Sequence, residues 1–152
     1  MKKILIIDGQ GGKIGASLLD ALRVRYPSGG SVELVAVGTN SSATENMLRR
    51  SPDAAATGEN PVVVNSRDAD VIVGPVGIAI ADSLWGEVTP KMAKAVGQSQ
   101  ALRVLIPVNR CRSVVVGADG APLAPLIQKA VQIIARQQHL LFRKNNIKQN
   151  LR

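Results

Sequence analysis

Four consecutive apolar residues, Ile4 to Ile7, follow two lysines and end at Asp8. A run of this kind, with no polar alternation, predicts a central parallel strand buried on both faces. Beyond a glycine-rich turn the period changes, and Ile14, Leu18, Leu19 and Leu22 fall on one face of a helix. A second strand is expected over Val32–Val37. Ser42 and Glu45 have the spacing of a capping box, so a second helix is expected from about Ala43 to Arg50. Short apolar runs predict a third strand at Val62–Val64 and a fourth at Val71–Val73, the latter running into Gly74-Pro75. A short helix is expected within Ile78–Leu84. Thr89 and Pro90 suit the N-cap and first position of another helix, reaching about Val96. Val104–Ile106 reads as a fifth strand. Val114–Val116 follows too soon for a parallel crossover, so a sixth strand there should run antiparallel. Pro122 and Pro125 open a last helix whose apolar face carries Leu126, Ile127, Ala130, Val131, Ile134 and Leu141.

The pattern predicts an α/β three-layer sandwich. Right-handed crossovers place the strands of a mostly parallel five- to six-stranded sheet in the order 3-2-1-4-5, with the last strand antiparallel. One domain over residues 1–142 is expected, followed by a basic, frayed tail at 143–152. A chain of 152 residues can bury about 70% of its unfolded surface around one core. With only Tyr26, Trp85 and Phe142 as aromatics, that core must be aliphatic, and the same scarcity argues against stacking platforms for single-stranded nucleic acid.

Charge and cysteine content narrow the setting. The net charge of +8 is uneven: residues 120–152 hold six bases (Lys129, Arg136, Arg143, Lys144, Lys148, Arg152) and no acid. A single cysteine excludes an internal disulfide and suits a reducing compartment. Asp8 cuts short the apolar stretch after Lys2-Lys3, which excludes a signal peptide there. The longest apolar stretch, Val71–Ala81, is too short for a bilayer and is broken by Gly and Pro. A soluble cytoplasmic protein without membrane partners is expected.

The chemistry converges on Lys2–Gly15, where strand, glycine turn and helix follow in the order of a mononucleotide-binding unit. Glycines let the backbone turn tightly and let a phosphate approach the N–H groups at the helix start. The rim at the strand carboxyl ends should gather the candidate nucleotide-binding residues. These are Gly9, Gln10, Gly11, Gly12, Lys13, Ile14 and Gly15 of the loop, with Thr39, Asn40, Gly74, Pro75 and Asn109. Read as Gly9-x-x-Gly12-x-x-Gly15, the loop is similar to the cofactor loop of dihydrodipicolinate reductase and of some extended short-chain dehydrogenases, which implies NADP or NAD. An NAD site usually has a carboxylate at the end of its second strand. Here that stretch is Gly38-Thr39-Asn40-Ser41-Ser42, with Arg49 and Arg50 following, which leans towards the 2′-phosphate of NADP.

Other chemistries are excluded. A P-loop needs glycine at position 7 and Ser or Thr at position 14, and both are isoleucine. The Tyr-x-x-x-Lys pair of short-chain dehydrogenases fails because Tyr26 is followed by Gly30, and no Gly-x-Ser-x-Gly elbow exists. His139, the only histidine, lies far along the chain in the basic helix, against histidine-based metal or triad chemistry.

Ile7-Asp8-Gly9-Gln10-Gly11-Gly12, Gly38-Thr39-Asn40, Ala56-Thr57-Gly58-Glu59-Asn60, Gly74-Pro75-Val76-Gly77-Ile78, Gly86-Glu87-Val88-Thr89-Pro90 and Pro107-Val108-Asn109-Arg110-Cys111 together resemble a family of small bacterial Rossmann-like proteins of unknown function, over about Lys2 to Gly117. The resemblance implies one compact domain with a glycine loop and no reaction. Its motifs draw attention to Glu59 and Glu87 as loop carboxylates able to serve as base or ribose ligand. They also point to Cys111, between Arg110 and Arg112, as a thiol with nearby positive charge. Whether the protein is an enzyme stays open at this point. One expectation is a nucleotide-binding or sensor module, or a small reductase completed by a homodimer. The other is an interaction protein whose basic C-terminal helix docks on nucleic acid or an acidic partner.

Overall fold

The computed structural model describes residues 2–108, 112–118 and 120–149, with side chains as far as residue 137. Five parallel strands form one sheet in the order β3-β2-β1-β4-β5. In chain order the elements are β1 (Lys2–Asp8), α1 (Lys13–Arg25), β2 (Val32–Gly38), α2 (Ser41–Leu48), β3 (Ala54–Thr57), α3 (Glu59–Asn65), β4 (Val71–Pro75), α4 (Pro90–Gln98), β5 (Leu102–Ile106) and α5 (Leu123–Gln149). A single 3-10 turn, Val76–Ala79, follows β4.

The continuous apolar run of β1 divides between two cores because alternate side chains point to opposite faces. Ile4 and Ile6 join Leu18, Leu19 and Leu22 of α1, Met47 of α2 and Ile127 and Ile134 of α5. Leu5 and Ile7 join Val62 of α3 and Met92 and Val96 of α4 on the other face. Each such side chain contributes about 1.5–3 kcal/mol when fully buried, and β1, like β2 and β4, feeds both cores. Its register with β2 runs from Lys2 opposite Val32 to Asp8 opposite Gly38, and with β4 it pairs Ile6 with Val73. The Cα–Cβ direction at Gly74 points at β1: a Cβ there would stand 2.1 Å from the Ile7 carbonyl oxygen. Gly74 is therefore a packing glycine, required for the approach of β4 to β1.

Several expected elements differ. The third strand is Ala54–Thr57, whereas Val62–Val64 lies within α3. Valine favours strands only where a sheet edge is available. Here the edge of β2 is taken by Ala54–Thr57, fixed by the Asp53 amide on the Leu34 carbonyl and the Gly58 amide on the Gly38 carbonyl. Pro61 sits in the first turn of α3, where its missing N–H costs nothing. Val114–Val116 forms no strand: Val114 and Val116 are 72% and 95% exposed, with no sheet edge to join, so the antiparallel sixth strand is absent among the described residues. The helix expected within Ile78–Leu84 is reduced to the 3-10 turn, because Asp82, Leu84 and Trp85 adopt positive φ of 63°, 54° and 59°. The cap of α2 is Asn40, whose side-chain oxygen accepts the Ala43 amide at 2.8 Å, and not Ser42. Thr89 caps α4 as expected, with Pro90 at its first position. The backbone of α5 continues to Gln149, through most of the segment expected to be a frayed tail.

Candidate functional site

The turn between β1 and α1 has two sides. On the side of β4 it borders a crevice of about 230 Å³ lined by Asp8 to Ile14, Pro75, Leu84, Val108 and Leu123. This is where the strand order reverses between β1 and β4, the place where open α/β sheets bind ligands. Gly11 is exposed, and a side chain added there would meet no atom within 4 Å. The exposed Lys13 also lines the crevice. Gly12 is different: φ is 69°, and a Cβ would stand 2.7 Å from the Ala43 carbonyl oxygen and 2.8 Å from the Ala43 Cα. Gly12 serves the backbone and its close approach to α2. Gly15 packs on Met47 and Asp8.

Asp8 closes the floor. It is 4% exposed, and its carboxylate accepts the amide of Gly9 at 2.8 Å and of Gly15 at 2.7 Å. Burial pushes its pKa up, against the lowering effect of the Gly15, Gly9 and Ile14 amides, and Glu87 nearby pushes the same way as burial. Part of the first turn of α1 is thus satisfied by a side chain of the protein itself. Such a carboxylate is stabilised by the positive end of the helix dipole. Gly11 and Lys13 are exposed beside it, the Gly11 carbonyl accepting Asn46 Nδ2 at 2.9 Å.

On the side of β2 the turn is occupied. Glu87 reaches over from the segment before α4, and its Oε2 accepts the Gln10 amide at 2.8 Å, the Thr39 hydroxyl at 2.6 Å and Asn40 Nδ2 at 2.9 Å. Its Oε1 accepts Gln10 Nε2 at 2.6 Å. Burial acts to raise the Glu87 pKa, but the hydrogen bonds from Thr39, the Gln10 amide, Asn40 and the Gln10 side chain outweigh it and hold the group below the usual glutamate range. Leu84 covers Gly9, where a Cβ would fall 2.7 Å from Leu84 Cδ1 and 2.6 Å from Thr39 Oγ1. The segment is shaped by the positive φ values at Asp82, Leu84, Trp85 and Gly86, by the Ser83 hydroxyl on the Gly77 carbonyl, and by the Asp82 amide on the Val88 carbonyl at 2.7 Å. Trp85 stands 93% exposed at its tip.

Of the expected site residues, the structure brings together Gly9 to Gly15, Thr39, Asn40, Pro75 and Glu87. Gly74 is absorbed in packing. Glu59 begins α3 and pairs with Lys91 at 3.7 Å instead of joining the glycine loop. Asn109 and Cys111 lie outside the described residues. Arg49 and Arg50, expected to face a 2′-phosphate, pair with Glu45 at 2.7 Å and with Asp20 at 3.4 Å. Of the basic groups after Asp119, Lys129 and Arg136 are exposed on α5, and the others, with the His139 side chain, fall outside the described side chains. Sequence reasoning missed Asp8 as an internal ligand of the helix start and Leu84 as a wall. Asp8 was legible as an acid ending a buried strand directly before the glycines. Leu84 had no signal, since only the turn conformation of its segment aims it at Gly9. Among the described residues, no helix is long and apolar enough to cross a membrane.

Residues 3–139 match the model of the family described as "Domain of unknown function (DUF3842)", and the chain belongs to that family. The resemblance to an uncharacterised family is thereby borne out, and it extends past Gly117 into the last helix. No curated protein matches the chain. Among solved structures, a dodecameric FMN-dependent UbiX-like decarboxylase from Escherichia coli O157:H7 is similar at 19% identity, with a TM-score of 0.49 and with 91% of this chain and 95% of that chain covered. Similarity of that degree brings neither cofactor nor reaction with it. The Rossmann-like fold is established by the chain's own five-stranded sheet.

Proposed function

We propose that this member of the DUF3842 family is a nucleotide-binding module that holds the phosphate of its ligand against Gly11 and Lys13, in the crevice between the ends of β1 and β4. The observation that carries the reading is the 230 Å³ crevice at the point where strand order reverses, bordered by a glycine that faces open space and by a lysine. Its apolar walls, Pro75, Leu84, Val108 and Leu123, suit the flat face of a ring, and its polar edge suits the phosphate.

The protein works as a binding or sensor module of the cytoplasm. Glu87, the exposed-side carboxylate nearest the loop, is engaged by four hydrogen bonds, which suits holding a geometry better than moving a proton. A reductase built on this chain is completed by a homodimer. Within the nicotinamide class, the ground for NADP(H) was the lack of a carboxylate at the end of β2. Glu87 standing there, and the pairing of Arg49 and Arg50 with acids, take that ground away. Calorimetric titration with NAD, NADP, ATP and flavin nucleotides tests the proposal. Saturable binding of at least one is expected, and no heat from any of them at millimolar concentration would overturn it.

A further inference from the structure

We infer that Glu87 is a specificity-determining residue: it supplies, from outside β2, the carboxylate that reads a ribose at this rim, so the site takes NAD in preference to NADP. The inference rests on the nucleotide reading above and narrows it.

In sheets of this topology the end of the second strand is where a carboxylate meets the ribose hydroxyls. Thr39 and Asn40 occupy that end here and carry no charge of their own. Both instead hold Glu87, the hydroxyl of Thr39 at 2.6 Å and Nδ2 of Asn40 at 2.9 Å, while the Gln10 amide at 2.8 Å ties the same oxygen to the glycine turn. The carboxylate is thus fixed between the first glycine turn and the end of β2, although 48 residues separate it from Thr39.

The two oxygens differ in what they can still do. Oε2 receives three donors and has no capacity left, whereas Oε1, among the described residues, receives only Gln10 Nε2 at 2.6 Å and can accept a further hydroxyl. Gln10 is half-buried at the loop surface, so its side chain can be replaced on Oε1 by a second hydroxyl. A ribose with free 2′- and 3′-hydroxyls therefore finds an acceptor. A 2′-phosphate finds a negative charge whose donors among the described residues are neutral, with Asp8 nearby and with the two arginines that follow α2, Arg49 and Arg50, engaged by Glu45 and Asp20. Discrimination of this kind works by rejecting the wrong ligand as much as by holding the right one.

The test is a side-by-side calorimetric titration of the full chain with NAD and NADP, with the fluorescence of Trp85, the only tryptophan and two residues from Glu87, as a second readout. NAD is expected to bind tighter by about tenfold or more, and Glu87→Gln to bring the two within about threefold, mainly by strengthening NADP. Equal or tighter binding of NADP by the native chain overturns the inference. So does an unchanged ratio in the variant, or an equal gain for both dinucleotides, which would make Glu87 a plug. If Glu87→Gln does not fold, the ratio for the native chain decides alone. Binding of mononucleotides with neither dinucleotide overturns this inference and leaves the nucleotide reading standing; binding of nothing overturns both.

Discussion

The two sides of the Gly9–Gly12 turn are built on opposite principles. On the β4 side the backbone at Gly11 faces open space, and the wall is apolar with one lysine at its edge. On the β2 side four donors from Gln10, Thr39 and Asn40 already hold a carboxylate, and Leu84 packs on Gly9. One turn therefore presents an edge with open backbone and an edge bonded to a side chain of the protein itself, where Oε2 is filled and Oε1 holds a single donor among the described residues. The lesson is that a run of glycines is not a uniform signal. Gly11 has open space opposite its Cβ direction, Gly12 has the backbone of Ala43, and the fold alone makes that difference.

The sharpest test of that contrast replaces each glycine in turn. Gly12→Ala forces a side chain into a φ of 69° and onto the Ala43 backbone. It should cost about 2–5 kcal/mol in denaturant unfolding, from left-handed strain and overpacking together. A loss below about 1 kcal/mol would mean that the close approach of α2 is not required. Gly11→Glu should instead leave unliganded stability within about 0.5 kcal/mol. It should abolish the stabilisation that a bound nucleotide provides, which for the native chain is about 2.7 kcal/mol at a hundredfold excess over Kd. Retention of the full thermal shift by Gly11→Glu would place the phosphate away from the open edge.

The closed side is tested through its donors. Asn40→Ala removes both the cap of α2 and one donor to Glu87, so a loss of about 1–2 kcal/mol is expected. A loss of a few tenths would reduce Asn40 to a surface residue.

The smallest effect is in the pH profile. Glu87 has a lowered pKa in the folded chain, so its stabilisation is complete above the ordinary glutamate range and is lost as pH falls through the depressed value. Asp8 has a raised pKa and acts in the opposite sense: its favourable contribution is present at low pH and is lost as pH rises through the raised value. The stability difference between native protein and Glu87→Gln, at most about 1 kcal/mol near neutrality, should therefore shrink on acidification. Urea midpoints measured across the acid range check this, and a difference that grows towards low pH would contradict it.

Much of this molecule follows from sequence alone. The apolar run Ile4–Ile7, the helix face of Ile14, Leu18, Leu19 and Leu22, and the Thr89-Pro90 helix start are local signals, because burial on both faces, helical period and capping each act within a few residues. With the right-handed crossover rule they lead to the strand order 3-2-1-4-5, although the third strand was expected at the wrong residues. Other features depend on what lies opposite in space. Ala54–Thr57 is a strand, and the more strand-prone Val62–Val64 is helical, because the edge of β2 is already paired when α3 begins. Glu87 was visible as a loop carboxylate. Its attachment to Thr39 and Gln10 was not, since contacts spanning 48 and 77 residues leave no periodicity to read. The roles of Gly11 and Gly12 divide for the same reason. Two adjacent glycines look alike in the chain, and only the fold puts the backbone of Ala43 against one and open space beside the other.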